Sequence, residues 1–386
     1  MPKFPELSPG AQSVSAAVYS SIQSGSRPPR PPVPLHIGDT WMEPASGCRM
    51  EDLKVADHPG MHRYTPVPGL PELRQRIAEF HATRTGVATA AEQVLVVPGA
   101  TAGLATAVAS TIAPGEEVLL SAPYWPLIAG SVRAYNGRPI DVPAMTTAKT
   151  AEEIVNLFER HRTEHTAAVY WNTPHNPTGR LMPKAWLEAL TEWAGSHQLW
   201  VYADEVYEDY VYDGEHCYTR SLAPDITISV HSFSKAYGMA GNRLGYLVAP
   251  EPVIAAMLRV MTNVNYSACT ASQLAALNAL NGPGPAWAAA ARDQYAELGR
   301  WAADRLGVAA PAGSTFLFID VADCLDERGL GGFLGDLYQA GVMVAPGPSF
   351  GPFPTHIRVC FTCAEPAEVR RGITILAEAM AERRTG

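Results

Sequence analysis

The sequence has no long apolar run, few cysteines and few charged residues, and each shortage argues against a class of protein. No stretch approaches the roughly 20 consecutive apolar residues that a helix needs to cross a bilayer, which argues against a membrane-spanning protein. The N-terminal segment Met-Pro-Lys-Phe-Pro-Glu has no apolar core of the kind found in signal peptides. A cytoplasmic protein is therefore expected.

Cysteine usage points to the same compartment, because thiols scattered along a chain suit a reducing cytosol. Of six cysteines in 386 residues, only Cys360 and Cys363 have the C-x-x-C spacing. No second pair or nearby pair of histidines completes a zinc site, so no metal is predicted. The alternation before Cys360 is that of a strand, and the pair is expected to straddle the strand end.

Charge is sparse and acidic in balance: 17% of residues are charged, and the net charge is -9. This balance argues against nucleic acid or an anionic membrane as a partner. With 47% hydrophobic residues, the chain is long enough for one large domain and a smaller one.

Short apolar segments alternate with helical patterns through most of the chain, which predicts a mainly parallel sheet covered by helices on both sides. The predicted strands of this α/β domain are 94–97, 118–120, 167–171, 199–203, 226–230 and 243–248. Beyond residue 307 the pattern changes to that of a smaller α+β domain. The predicted division is an arm and part of the small domain at 1–45, a large domain at 46–285 and the small C-terminal domain at 286–386.

The most informative segment runs from His231 to Gly245 and contains Lys235 between small hydroxyl residues. A lysine amine can form a Schiff base with an aldehyde, while Ser232, Ser234 and Arg243 can hold a phosphate. An aldehyde and a phosphate together describe pyridoxal 5'-phosphate (PLP), for which a lysine Schiff base is the usual anchor.

Polar residues follow three further strands, at the edge where open α/β sheets bind ligands. Asp204 can keep the pyridine nitrogen of PLP protonated, and Tyr207 and Asn176 can contact the ring hydroxyl. The backbone N–H groups of Gly99, Ala100 and Thr101, where a strand turns into a helix, favour a phosphate, and Trp125 can stack on the cofactor ring. Several of these residues, and Arg358, also have an ordinary structural explanation. Asp204 and Thr101 can act as helix caps, and Trp125 can belong to the core. Asn176 can belong to an ordinary turn, and Arg358 can form a structural ion pair.

These motifs together resemble the class I/II aminotransferases of the aspartate aminotransferase fold family, which is fold type I among PLP enzymes. The matching segments occur in the family's order over nearly the whole chain. They are 64–69, 99–101, 123–125, 176–179, 204–207, 232–235 with Arg243, 341–347, and Arg358.

The resemblance implies a homodimer with shared active sites, in which Tyr64 reaches the phosphate of the neighbouring subunit. It implies that Lys235 is both the anchor and the proton shuttle, that Arg358 clamps the substrate α-carboxylate, and that Gly38 lines the carboxylate site. The implied reaction moves an amino group between an L-amino acid and a 2-oxo acid. Two alternatives stay open: a lyase, cyclase or β/γ-replacement enzyme with the same cofactor, and a protein of this fold that has lost catalysis.

Substrate preference is less constrained by the sequence. Thr101 stands where some relatives that act on acidic substrates carry a lysine. Trp41, Met42 and Glu43 depart from the commoner family pattern and are expected near the side-chain pocket. The Gly347–Gly351 segment matches the GxSxG pattern of esterases, but the prolines around it forbid the helix that this pattern requires.

Overall fold

The computed structural model describes residues 7–14 and 31–385. The arm predicted over the first 35 residues lies largely outside this range. Its described parts differ from a simple extended arm, because Pro9–Gln12 form one helical turn, α1, capped by the Ser8 side chain. Further on, Val33 makes a parallel bridge to Val342, which ties the start of the chain to its C-terminal part.

A seven-stranded sheet forms the centre of the molecule, in the order β1-β7-β6-β5-β4-β2-β3. Its strands are β1 (Val94–Val97), β2 (Glu117–Ser121), β3 (Arg138–Val142), β4 (Thr166–Asn172), β5 (Trp200–Asp204), β6 (Thr227–Ser232) and β7 (Gly245–Val248). The five strands from β3 to β6 in this order pair in parallel, whereas β7 runs antiparallel to both of its neighbours. The predicted α/β fold class is confirmed.

Helices cover both faces of this sheet. They are α2 (Pro71–Thr85), α3 (Ala100–Thr111), α4 (Pro126–Ala134), α5 (Ala144–Thr147), α6 (Ala151–His161), α7 (Lys184–Ser196), α8 (Glu251–Val264) and α9 (Thr270–Asn281). Helix α2 shows how the sequence sets these bounds: Pro71 occupies its first turn, where no N–H is needed, and Gly86 ends it at φ +70°.

The C-terminal part folds around a three-stranded antiparallel sheet in the order β8-β10-β9. Its strands are β8 (Phe316–Asp320), β9 (Ala345–Pro346) and β10 (His356–Cys360), and its helices are α10 (Gly284–Leu306), α11 (Gly329–Ala340) and α12 (Pro366–Thr385). Val33 and Leu35 are buried in the hydrophobic core of this part, as expected for a small domain that includes an N-terminal segment. The exact division at 45 and 285 stays a prediction.

Several local expectations can be compared with these bounds. Cys360 is the last residue of β10 and Cys363 lies beyond it, as predicted from the alternation. The esterase-like segment forms a short 3-10 turn, Gly347–Phe350.

Strand β3 was not predicted, because it lacks the apolar pattern of its neighbours. It is an edge strand that contains Pro139 and Asp141, and only its last residue is fully buried.

In the described ranges, no helix has the length and apolar character needed to cross a membrane.

Candidate active site

A cavity of about 190 Å³ opens at the carboxyl ends of the parallel strands, the edge that the sequence predicted. Twelve predicted site residues line it. They are Gly38, Ala100, Thr101, Trp125, Asn176, Asp204, Tyr207, Ser232, Ser234, Lys235, Arg243 and Arg358. Segments that are far apart in the chain therefore converge on one space.

Lys235 enters this cavity from the loop after β6, and its Nζ donates a short hydrogen bond to the carbonyl oxygen of Gly38. Burial lowers the pKa of Lys235, and the nearby Asp39 carboxylate opposes this only in part. A lowered pKa favours the neutral amine, which is the nucleophilic and basic form. Glycine at position 38 lets the backbone lie against the Phe316 ring, because a Cβ there would lie 2.9 Å from that ring.

Asp204 ends β5 at the floor of the cavity and is 3% exposed. Its Oδ2 accepts a hydrogen bond of 2.7 Å from the Tyr170 hydroxyl. Burial raises the pKa of Asp204 to about 6, with the Tyr170 hydrogen bond acting in the opposite direction. No side-chain cation lies within ion-pair distance of this carboxylate in the described part of the chain, so a cationic group of a ligand would complete its environment.

Tyr207, Asn176 and Arg358 form one side of the cavity. Asn176 Oδ1 accepts a hydrogen bond of 3.1 Å from Arg358, whose guanidinium also donates to the carbonyl of His36 at 2.6 Å. Arg358 is only 2% exposed, and its guanidinium carbon lies 4.2 Å from the centre of the Phe316 ring. A buried guanidinium held in this way presents a fixed fork for a carboxylate.

The opposite end of the cavity has the features of an anion-binding site. Helix α3 begins at Ala100, and its first N–H groups have no partners within the helix. Gly99 caps the helix at φ +85°, and a Cβ there would lie 2.5 Å from Nη2 of Arg243. Glycine at this position therefore lets the Arg243 guanidinium lie directly against the start of the helix. Ser232 and Ser234 complete this end.

Apolar side chains supply the remaining walls. Trp125 and Val206 line the cavity together with Leu104, Ala240 and Phe316. Phe316 and Tyr170 were not among the predicted site residues. Tyr170 lies two positions before Asn172 on β4, so both side chains project from one face of the strand. Both donate to Asp204, and this spacing is the signal that could have identified Tyr170.

Five predicted residues do not line this cavity; one of them, Gly99, lies against Arg243 at its anion end. Tyr64 is 88% exposed and packs edge-on against Tyr266, with ring centres 5.1 Å apart. Trp41 and Met42 pack against the core of the C-terminal part, and Glu43 is exposed. The expectation that the last three shape the side-chain pocket stays a prediction, since none of them lines the cavity of a single chain.

The fold and the cavity define an α/β enzyme with an anion site, a buried carboxylate and a buried lysine in one space. PLP fits these groups: its phosphate suits the start of α3 with Arg243, its ring nitrogen suits the uncompensated carboxylate of Asp204, and its aldehyde suits Lys235.

Comparison with known proteins identifies the family. Residues 40–376 match the model of the class I and II aminotransferases, and the chain belongs to this family. It is 33% identical over 337 residues to a probable aspartate/prephenate aminotransferase of Thermus aquaticus, covering 83% of this chain and 84% of the relative. It is 35% identical over 312 residues to an arginine–pyruvate transaminase of Pseudomonas aeruginosa, covering 78% of both.

Solved structures agree with this assignment. A mutant of Thermus thermophilus aspartate aminotransferase superposes with a TM-score of 0.86 at 27% identity, covering 97% of this chain and all of the other. The predicted resemblance is thus confirmed, and amino transfer is favoured over the lyase, cyclase and replacement alternatives. The family in general uses PLP, acts on amino acids and 2-oxo acids, and typically forms dimers.

Proposed function

We propose that this chain carries out PLP-dependent amino transfer in the cavity described above, with Lys235 as the anchor of the cofactor. The observation that carries this proposal is the convergence of Lys235, Asp204, Arg243 and Arg358 on one cavity. When bound, PLP supplies an aldehyde that condenses with amines and a pyridinium ring that withdraws electrons from them.

Lys235 Nζ has two tasks in this proposal. It holds the cofactor when no substrate is present, and it moves a proton after the incoming amine has displaced it. Because burial lowers the pKa of Lys235, a larger fraction of the amine is in the neutral form that can accept a proton. The Gly38 carbonyl, which accepts a hydrogen bond from Nζ, orients the amine toward the cavity.

Asp204 holds the ring nitrogen in its protonated form, and the Tyr170 hydroxyl holds Asp204 in place. Tyr207 and Asn176, which line the same cavity, would contact the ring hydroxyl, and Trp125 would cover a ring face. Burial raises the pKa of Tyr207 above its ordinary value, so its hydroxyl remains a hydrogen-bond donor at working pH. The ring would thereby be held at its nitrogen, at its hydroxyl and on one face.

Arg358 binds the α-carboxylate of the amino acid through two parallel N–H donors. Its side chain is already fixed by Asn176 and by the His36 carbonyl, so little conformational entropy is lost when substrate binds. Since this contact is common to all α-amino acids, it selects the substrate class without selecting the side chain.

The proposed assembly is a homodimer with shared active sites. Tyr64 is 88% exposed and lies outside the cavity of its own chain, which supports a role in a second chain. Val264 and Tyr266 are also exposed apolar residues, and Tyr266 contacts the Tyr64 ring. A phenol presented in this way is suited to reach the phosphate end of a neighbouring subunit's cavity.

The proposal is tested by trapping the cofactor. Protein reduced with borohydride should carry PLP covalently at Lys235, located by peptide mapping. Lys235→Ala should keep its fold and lose turnover by several powers of ten, whereas Lys184→Ala, at an exposed lysine on α7, should behave as the wild type. An adduct on another lysine, or none at all, would refute the proposal.

A further inference from the structure

A second group of ionisable side chains, some buried and some half-buried, lies on the reverse side of the sheet, behind the cavity. Its members come from α2, from the turns after β5 and from β6. They are His81, Arg84, Glu205, Glu208, Asp209, His216 and His231. The roles proposed for the cavity residues do not involve any of them.

The segment after β5 contributes side chains both to the cavity and to the cluster behind the sheet. Asp204 and Tyr207 line the cavity, while the Glu205 carboxylate accepts a hydrogen bond of 2.8 Å from the backbone N–H of Thr219, outside the cavity. The side chain of Glu208 meets His231. One short turn thus carries two proposed cofactor contacts toward the cavity and two carboxylates away from it.

His231 connects this turn to the lysine loop. It precedes Ser232 in the sequence and projects from the opposite face of β6. Its Nδ1 lies 2.9 Å from Glu208 Oε1, and its Nε2 lies 3.8 Å from Glu205 Oε2. Both ring nitrogens face carboxylates: Nδ1 is within hydrogen-bond distance of Glu208, whereas Nε2 is within ion-pair range of Glu205 without a hydrogen bond.

The surroundings of His231 determine its charge. Burial lowers the pKa of His231, but the carboxylates of Glu208 and Glu205 outweigh burial and raise it above the ordinary value. Arg84 contacts Glu208 at 3.2 Å and acts in the opposite direction on His231. The Tyr246 ring stacks on the imidazole at 4.7 Å.

The neighbouring histidines carry no charge near neutral pH. Burial lowers the pKa of His216 to about 4 and that of His81 to about 3. Burial raises the pKa of Glu205 to about 7, and it also raises that of Asp209, which pairs with Arg84. Among these histidines, His231 is therefore the one whose surroundings favour a positive charge behind the cavity.

We propose that His231 is a positioning residue for amino transfer: by bridging Glu205 and Glu208, it fixes the turn that carries Asp204 and Tyr207 relative to the lysine loop. Its charge also favours the ionised form of Asp204 from behind the sheet. The inference rests on the proposed function, since it assigns His231 a part in holding the same cofactor.

The positive charge of His231 acts on the pKa of Asp204. Burial is the largest influence and raises the pKa of this carboxyl, while Tyr170, Asn172 and His231 lower it. Loss of the imidazolium would raise the pKa further. Asp204 would then be protonated, and its hold on the ring nitrogen weakened, at a higher pH than in the wild type.

The experiment compares His231→Asn with His216→Asn in the holoenzyme. His216 lies in the same cluster, 3.8 Å from Glu205, but the substitution there removes no charge. PLP release after dilution is followed by the loss of its visible absorption between pH 5.5 and 8.5. We expect the acid-induced acceleration to begin roughly half a pH unit or more higher in His231→Asn, which corresponds to about threefold faster release on the acid limb.

Steady-state kinetics supply a second readout. His231→Asn should lower kcat while leaving the KM for the amino acid nearly unchanged, because Arg358 is untouched. If this variant does not fold, Glu208→Gln replaces it: removing the carboxylate lets His231 lose its proton, and the acid limb should move in the same direction.

Two results would overturn the inference: faster release by the same factor at every pH, which indicates packing alone, or equal behaviour of the two asparagine variants. The borohydride trap separates this outcome from failure of the proposed function. A wild-type protein that forms the Lys235 adduct, with an unshifted His231→Asn profile, contradicts only the role of His231.

Discussion

Gly99→Ala tests whether the start of α3 and Arg243 form the phosphate site. Gly99 has φ +85° and ψ 157°, a backbone conformation that is almost restricted to glycine. The added Cβ would lie 2.5 Å from Nη2 and 3.1 Å from Cζ of Arg243. The substitution therefore has two separate consequences, backbone strain and displacement of a guanidinium.

The two consequences have different magnitudes and different readouts. Backbone strain of this kind costs about 1–3 kcal/mol and lowers the free energy of unfolding whether or not cofactor is present. Loss of a charge-assisted hydrogen bond costs about 1.5–3 kcal/mol, so the affinity for PLP should fall roughly 10- to 150-fold. Pyridoxal, which has no phosphate, should lose little affinity.

The assay measures the dissociation constants of PLP and pyridoxal together with thermal melting of the apoprotein. Gly115→Ala is the matched control, because Gly115 has φ +90° and no atom within 4 Å of an added Cβ. It should destabilise the protein and leave both affinities unchanged. Equal losses for PLP and pyridoxal in Gly99→Ala, or none for either, would refute the assignment of this end to the phosphate.

Three further predictions concern the proposed roles. Asp204→Asn should retain PLP and slow turnover at least about 100-fold, as measured in single-turnover kinetics; an unchanged rate would show that the ring nitrogen lies elsewhere. Arg358→Lys should raise KM for every amino acid by about 10- to 100-fold with unchanged PLP content, while amines without a carboxylate should be affected much less. Mixing Lys235→Ala with Tyr64→Phe chains should restore activity above both parents if the sites are shared, and full activity in a monomer by light scattering would contradict this.

Much of the cavity could be predicted because parallel strands deliver their carboxyl ends to one edge. Asn176, Asp204 and Lys235 each follow a strand whose apolar run is clear in the sequence, so their convergence needed no knowledge of tertiary contacts. The start of α3 was predictable for a similar reason, since the buried strand that ends at Val97 must turn at Pro98 and Gly99 before the helix that follows.

Other features depend on geometry that a local pattern does not carry. The segment 243–248 was predicted as a strand, but its antiparallel direction in β7 depends on a tight return from β6 through the lysine loop. Phe316 reaches the cavity from β8 in the C-terminal part. Its position there depends on how that part packs against the large sheet, which no periodicity in either segment specifies.

The cluster behind the sheet shows most clearly what a local sequence pattern does not predict. A period of two predicts that His231 and Ser232 project to opposite faces of β6, and that Asp204 and Glu205 diverge in the same way. The same period does not predict that Glu205 and His231 come close to each other. Their meeting depends on the register of β5 against β6, where Asp204 lies opposite Val230 and the Glu205 N–H donates to the Val230 carbonyl. A shift of one residue would bring His231 and its carboxylate partners to opposite faces. Residues that adjoin the proposed cofactor contacts in the sequence thus form a separate layer, and the backbone that they share joins this layer to the cavity.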